Sequence, residues 1–156
     1  MMEITIVEVP AMNVLGAKET GTYALIPGLL MNVFAYLQEK KAAIAGPPIF
    51  LCHETSPAAV REANEKGTAV VEVAWPVNEL VKGTKKITAY VLPGGRMAHV
   101  IHRGPYDTCE PTYLALFAWI KEKGLKNCGP VREIYPNDPH VVPPEEIITD
   151  IYVPVR

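Results

Sequence analysis

One pattern of residues occurs twice in this chain, 83 positions apart, and that repetition constrains the fold more than any single motif. Ile4-Thr5 matches Ile87-Thr88, Pro10 matches Pro93, Gly21-x-Tyr23 matches Gly104-x-Tyr106, and Gly46-Pro47 matches Gly129-Pro130. Phe34-Ala35 aligns with Phe117-Ala118, and Glu39-Lys40 with Glu122-Lys123. Chance matches would scatter, whereas these fall on turns, on a Gly-x-Tyr and on one helical stretch. Both halves close on Pro-Val, at Pro76-Val77 and Pro154-Val155, with a longer preceding loop in the first half. At 156 residues with 49% hydrophobic content, the chain suits one core, so it reads as a single domain over 1–156 with repeats near 2–77 and 85–156.

Periodicity gives each half the same elements. Residues 3–9 and 86–92 are β-rich runs ending at Pro10 and Pro93, and Pro93-Gly94-Gly95 is a strong turn signal. Second strands at about 12–19 and 97–103 are expected to complete hairpins with them. Leu29, Leu30, Val33, Phe34 and Leu37 recur at helical spacing, as do Tyr113, Leu116, Phe117 and Ile120. After Gly-Pro come strands at 48–53 and 131–135, then closing strands at 68–75 and 147–153. Residues 54–67 read as a surface loop or short helix. The expectation is an α+β fold: a pseudo-twofold pair of ββαββ-like units, with antiparallel sheets and two main helices around a central cleft suited to a ligand.

Charge and composition exclude several classes. A net charge of -2 and a pI near 6.1 give no basic field to gather phosphates, so neither nucleic acid nor an anionic membrane surface is an expected partner. The start, MMEITIVEVP, has no signal-peptide pattern, and no apolar run reaches membrane-spanning length, which suggests a cytoplasmic protein. Cys52, Cys109 and Cys128 lack CxxC spacing and read as reduced, mostly packed thiols. His99 and His102, three apart on a strand, fall on opposite faces and cannot ligate together; no metal and no cofactor is expected. Phosphate-loop, GxGxxG, GxSxG and HExxH motifs are absent.

One carboxylate does not fit its surroundings. On the strand from Val131 to Tyr135, alternation puts Val131, Glu133 and Tyr135 on one face, and the counterpart of Glu133 in the first half is Phe50. Pattern alone leaves two readings open: a solvated face or ordinary ion pair, and a carboxylate facing a pocket. In the second, desolvation raises the pKa and favours a neighbouring positive charge, so a lipophilic cation could satisfy the acid while rings contact its flat body.

The stretch HRGPYDTCEPTYLALFAWIKEKGLKNCGPVREIYPNDP and the closing IITDIYVPV resemble the GyrI-like small-molecule-binding domain. VPAMNVLGAKETGTY and GPPIFLCHE repeat the pattern in the first half, so the resemblance covers the whole chain. It implies related units around a central pocket, with a glutamate in the strand after the second helix, a position matched by Glu133. Pocket rings carry over less directly: Tyr106 first, then Tyr152 and Trp119, with Tyr36, Trp75 and Phe50 as first-half candidates, all of which could equally be core packing. The AraC-type and MerR-type members carry a DNA-binding domain ahead of this one; here the effector-like pattern begins at residue 2. Regulation of transcription would then need a separate regulator chain.

The leading functional expectation is a stand-alone receptor or sequestering protein for amphipathic, planar aromatic compounds, cationic first and neutral second. The resemblance also implies a hydrolase of strained alkylating molecules such as cyclopropanepyrroloindoles, with Glu133 as general base and Tyr106 orienting the substrate. A third possibility is protein interaction in the manner of a gyrase inhibitor, with gyrase as partner.

Overall fold

Two β-rich segments, Thr5–Val9 (β1) and Thr88–Leu92 (β5), each run into a proline that closes the strand. The structure, a computed structural model, describes residues 2–156. Longer strands follow two residues later, Met12–Gly21 (β2) and Gly95–Arg103 (β6). The expected hairpins do not form. Instead β1 pairs with β6 and β5 with β2, so each half gives its first strand to the other. The two-residue connections explain this. A tight two-residue hairpin needs positive φ at its first loop residue, and both connections begin with proline, whose ring locks φ near about −65°. The strands therefore diverge and the connections cross. A Cβ on Gly94 would lie 2.5 Å from the Val9 carbonyl oxygen and 2.6 Å from the Ala11 nitrogen.

Single helical turns at Tyr23–Leu25 and Tyr106–Thr108 lead into the main helices, Ile26–Glu39 (α1) and Glu110–Glu122 (α3). Each has a proline in its first turn, where the backbone N–H has no intrahelical partner to lose. The buried positions are Leu29, Val33 and Leu37 in α1 and Thr112, Leu116 and Ile120 in α3, the same three at the 83-residue offset. Short strands Ile49–Cys52 (β3) and Val131–Ile134 (β7) follow, then Ala69–Pro76 (β4) and Ile148–Pro154 (β8).

The eight strands form one antiparallel sheet, not separate sheets, in the order β1-β6-β8-β7-β3-β4-β2-β5. Exchanging every strand for its counterpart reverses this order into itself, so the symmetry point falls between β3 and β7. There Phe50 pairs directly with Glu133, and Ile49 with Ile134. The helices pack on one face over Leu15, Phe50, Val71, Val73, Val100, Val131 and Ile151. The opposite face carries a smaller cluster of Val14, Ile49, Leu51, Ala74 and Leu92.

A third helix, Pro57–Lys66 (α2), occupies the segment read as a loop or short helix. Its signals are local: Ser56 Oγ accepts from the Ala59 N–H at 3.1 Å, Pro57 opens the first turn, and Gly67 ends the helix at a left-handed φ of 66°. Among the described residues no helix is long and apolar enough to cross a membrane. All three cysteines are free; Cys52 and Cys109 are buried, but Cys128 is exposed, so packing explains only two of them.

Candidate functional site

Alternation along the central strands aims Phe50 and Cys52 of β3, and Val131 and Glu133 of β7, toward the helices. Under α1 and α3 this seam opens into a cavity of about 1060 Å³. Its floor carries Phe50, Cys52 and Glu133; Ile26 and Leu30 come from α1, Tyr113 and Phe117 from α3, and Val60 and Arg61 from α2. Pro27 at the start of α1, Pro57 at the start of α2, and Pro136 and Pro139 after β7 add apolar wall, so most of what a guest would touch is carbon.

Glu133 is held by neutral donors alone. Its Oε1 accepts from the Tyr135 hydroxyl at 3.0 Å, and its Oε2 accepts from the Tyr113 hydroxyl. Among the described residues no basic side chain lies within salt-bridge distance of it. Glu133 is half-buried, and it lines the cavity. Burial pushes Glu133 above the ordinary carboxylate range, against the opposing pull of the two tyrosine hydroxyls and of His102. Burial, reinforced by the charge of Glu133, likewise pushes the Cys52 and Cys109 thiols up to about 12. Both therefore stay protonated near neutral pH and are poor nucleophiles.

The hydroxyl of Tyr113 stabilises the ionised acid, so Tyr113→Phe is expected to raise the Glu133 pKa further. Carbon-13 NMR titration of the glutamate carboxyl carbons reads this directly; an unchanged or lowered midpoint would show that the hydroxyl gives no net stabilisation to the charge.

A second carboxylate lies on the same wall. Glu54, just beyond β3, accepts from the Tyr23 hydroxyl at 2.5 Å through Oε1 and from the Val70 N–H at 3.2 Å through Oε2. At the rim, the remaining acids are partly compensated: Arg61 of α2 pairs with Glu110 of α3, and His140 Nδ1 lies 3.1 Å from Asp138 Oδ1.

Of the residues singled out from sequence, Glu133, Phe50, Tyr106 and Trp75 line the cavity. Trp75 is fixed by its indole N–H donating to the Leu30 carbonyl at 2.9 Å, and Tyr106 meets Tyr135 edge-on at 5.3 Å between ring centres. Tyr152, Trp119 and Tyr36 lie outside the lining. Glu133 pairs with Ile151, so Tyr152, one residue on, points to the far face, where it pairs with Arg132 and stacks on His99 at 4.4 Å. Tyr36 and Trp119 sit on helix flanks, each with a lysine over its ring, Lys40 at 5.7 Å and Lys123 at 5.6 Å.

Sequence reasoning missed Tyr23, Tyr113, Tyr135 and Glu54. Two signals were available: Tyr23 is the counterpart of Tyr106 at the repeat offset, and Tyr135 shares the Glu133 face by alternation. Nothing local marked Glu54, whose place depends on its tie to the start of β4.

A strand-exchanged antiparallel sheet with a ring-walled cavity under its two main helices defines a small-molecule-binding domain. The chain belongs to the GyrI-like small molecule binding domain family, whose pattern matches residues 2–156. Its fold is similar to the crystal structure of the EcmrR C-terminal domain, with TM-score 0.87 and 20% identity over 100% of this chain and 98% of that one. It also matches EcmrR in a DNA complex, with TM-score 0.86 and 20% identity over 99% of this chain, but spans only 57% of that chain. A hydrolase from Listeria innocua, encoded by lin2189, matches at TM-score 0.72 and 15% identity, covering 99% of this chain and 92% of that one. SAV2435 bound to tetraphenylphosphonium matches at TM-score 0.64 and 13% identity, covering 99% and 94%. No curated protein matches the sequence.

Proposed function

We propose that this chain is a receptor or sequestering protein for planar aromatic cations, which lie against the rings of the cavity and place their charge near Glu133. The observation that carries this reading is the Glu133 carboxylate, half-buried, hydrogen-bonded only to tyrosine hydroxyls and lining an apolar cavity. An ionised acid withdrawn from water gains most from a cation that arrives with little hydration of its own, as delocalised aromatic cations do. Phe50, Tyr113 and Trp75 line the same cavity, and an aromatic ring attracts a cation through the negative face of its quadrupole. SAV2435, which shares the fold, was captured with a lipophilic cation, in keeping with this chemistry.

Thermal shift tests the reading. A flat quaternary dye at about one hundred times its dissociation constant is expected to stabilise the fold by about 2.7 kcal/mol, visible as a raised melting temperature. A panel in which neutral dyes shift the melt and cations do not would defeat it.

A second reading is hydrolysis of a reactive guest. It is favoured by the raised pKa of Glu133, which improves the carboxylate as a base, and by hydroxyls beside it that can donate to a leaving group. Mass spectrometry of a cyclopropane-bearing alkylator with wild type and with Glu133→Ala decides it; turnover no faster than in buffer would end the idea.

A further inference from the structure

The arrangement around Glu133 is built a second time in the same cavity. Glu54 also lines it, also takes its hydrogen bonds only from neutral donors, the Tyr23 hydroxyl and the Val70 N–H, and also has no basic side chain within salt-bridge distance among the described residues. The two acids are not neighbours. Glu133 pairs across the seam with Phe50, and Glu54 lies four residues beyond Phe50 on the same strand path, up to about 13 Å away along the sheet. Between them the floor is apolar, with Phe50 and Cys52, and Tyr23 meets Phe50 edge-on at 5.8 Å between ring centres. Of the other acids in the lining, Glu110 and Asp138 already have basic partners, and Asp107 is exposed, where water screens it.

We propose that Glu54 is a second cation-recognising group, and that this cavity selects elongated ligands with two cationic heads, one near Glu133 and the other near Glu54. The inference rests on the cation-binding reading above and adds a length and a second charge to it. A cavity of about 1060 Å³ is at the upper end of the range for drug-sized guests, roomy enough for two ring systems and a linker. A single small cation would leave one acid unmatched. A two-headed guest would meet both, with apolar carbon lying over the Phe50 and Cys52 floor.

The test uses the whole chain and two probes, 1-decylquinolinium and its decane-linked double-headed relative, 1,10-bis(quinolinium)decane, with binding measured by isothermal titration calorimetry. In wild type the double-headed probe is expected to bind about tenfold tighter or more, because its second contact is made within an already formed complex. Glu54→Gln keeps a carbonyl oxygen to accept from the Val70 N–H and turns an amide N–H toward the Tyr23 hydroxyl oxygen, and it should bring the ratio of the two affinities close to one. Glu133→Gln should weaken both probes. A measurement that needs no variant accompanies these: joining the two heads by ethane keeps the charge but cannot span the acids, so the preference should vanish. If the preference is absent in wild type, persists in Glu54→Gln or persists with the ethane linker, the two-headed inference is wrong, and the cation reading survives as long as Glu133→Gln still weakens the single-headed probe. If neither probe binds wild type, both ideas fall together.

Discussion

Glu133→Gln is expected to weaken a planar quaternary cation by about thirtyfold or more, and a neutral compound of the same shape by no more than about twofold. The substitution preserves volume and leaves Tyr113 and Tyr135 with hydrogen-bond partners, so it removes charge with little else. Calorimetric titration of the matched pair reads the difference, and equal losses for both would refute a charge-based role. The pH dependence follows from the same group. Cation binding needs the ionised acid, so wild-type affinity should decline as pH falls through the raised Glu133 pKa, whereas the Gln variant should be nearly flat there.

The empty protein should respond in the opposite sense. Because burial raises the folded-state pKa above the unfolded value, the stabilising contribution of this group is complete below the unfolded pKa and is lost as pH rises through the folded one. Where Glu133 is ionised it is then a net cost to folding. The Gln variant should melt higher than wild type without ligand, by a margin that narrows on acidification. A site that costs stability when empty and recovers it on binding fits a receptor.

The other large effect concerns the crossing connections. Gly94→Ala should destabilise the fold by about 3 kcal/mol, lowering the melting temperature by about 6–12 °C. The added carbon would press on the Val9 carbonyl, the Pro10 carbonyl carbon and the Ala11 nitrogen, all backbone atoms that cannot turn aside as a side chain could. Gly28→Ala is the control: nothing lies within 4 Å of the added carbon, and in the first turns of α1 alanine replaces a poor helix former, so this variant should melt at or above wild type. A Gly94→Ala protein as stable as Gly28→Ala would show that the connections do not press together as described.

The elements were legible because each is written locally. Apolar spacing marked α1 and α3, and each expected strand boundary lies within two residues of its observed place. Partner choice was not local. Pro10 and Pro93 suggested ordinary hairpin turns, and only the requirement for positive φ at the first loop position shows that a two-residue hairpin is barred there. Alternation put residue 133 on the face of Val131, and the structure places it in the cavity lining. The rings were legible only in part. Tyr152 lies outside the cavity lining because the register of β8 on β7, which puts Ile151 and not Tyr152 beside Glu133, is set by long-range pairing. Tyr36 and Trp119 lie outside the lining because a helix can turn a large ring to its flank and cover it with a lysine stem, a choice that spacing does not reveal.

The meeting of Phe50 with Glu133 at the symmetry point carries one more consequence. Were the same seam formed by two identical chains, whatever stood there would face its own copy. Two phenylalanines would give a greasy but uncharged floor. Two glutamates, about 5 Å apart at their Cα atoms, would repel each other and drive one to take up a proton. Because both sides of the seam lie in one chain, the two positions need not be alike, so an anion can stand at the centre of the sheet with a ring opposite, and the chamber above it has one side chemically different from the other.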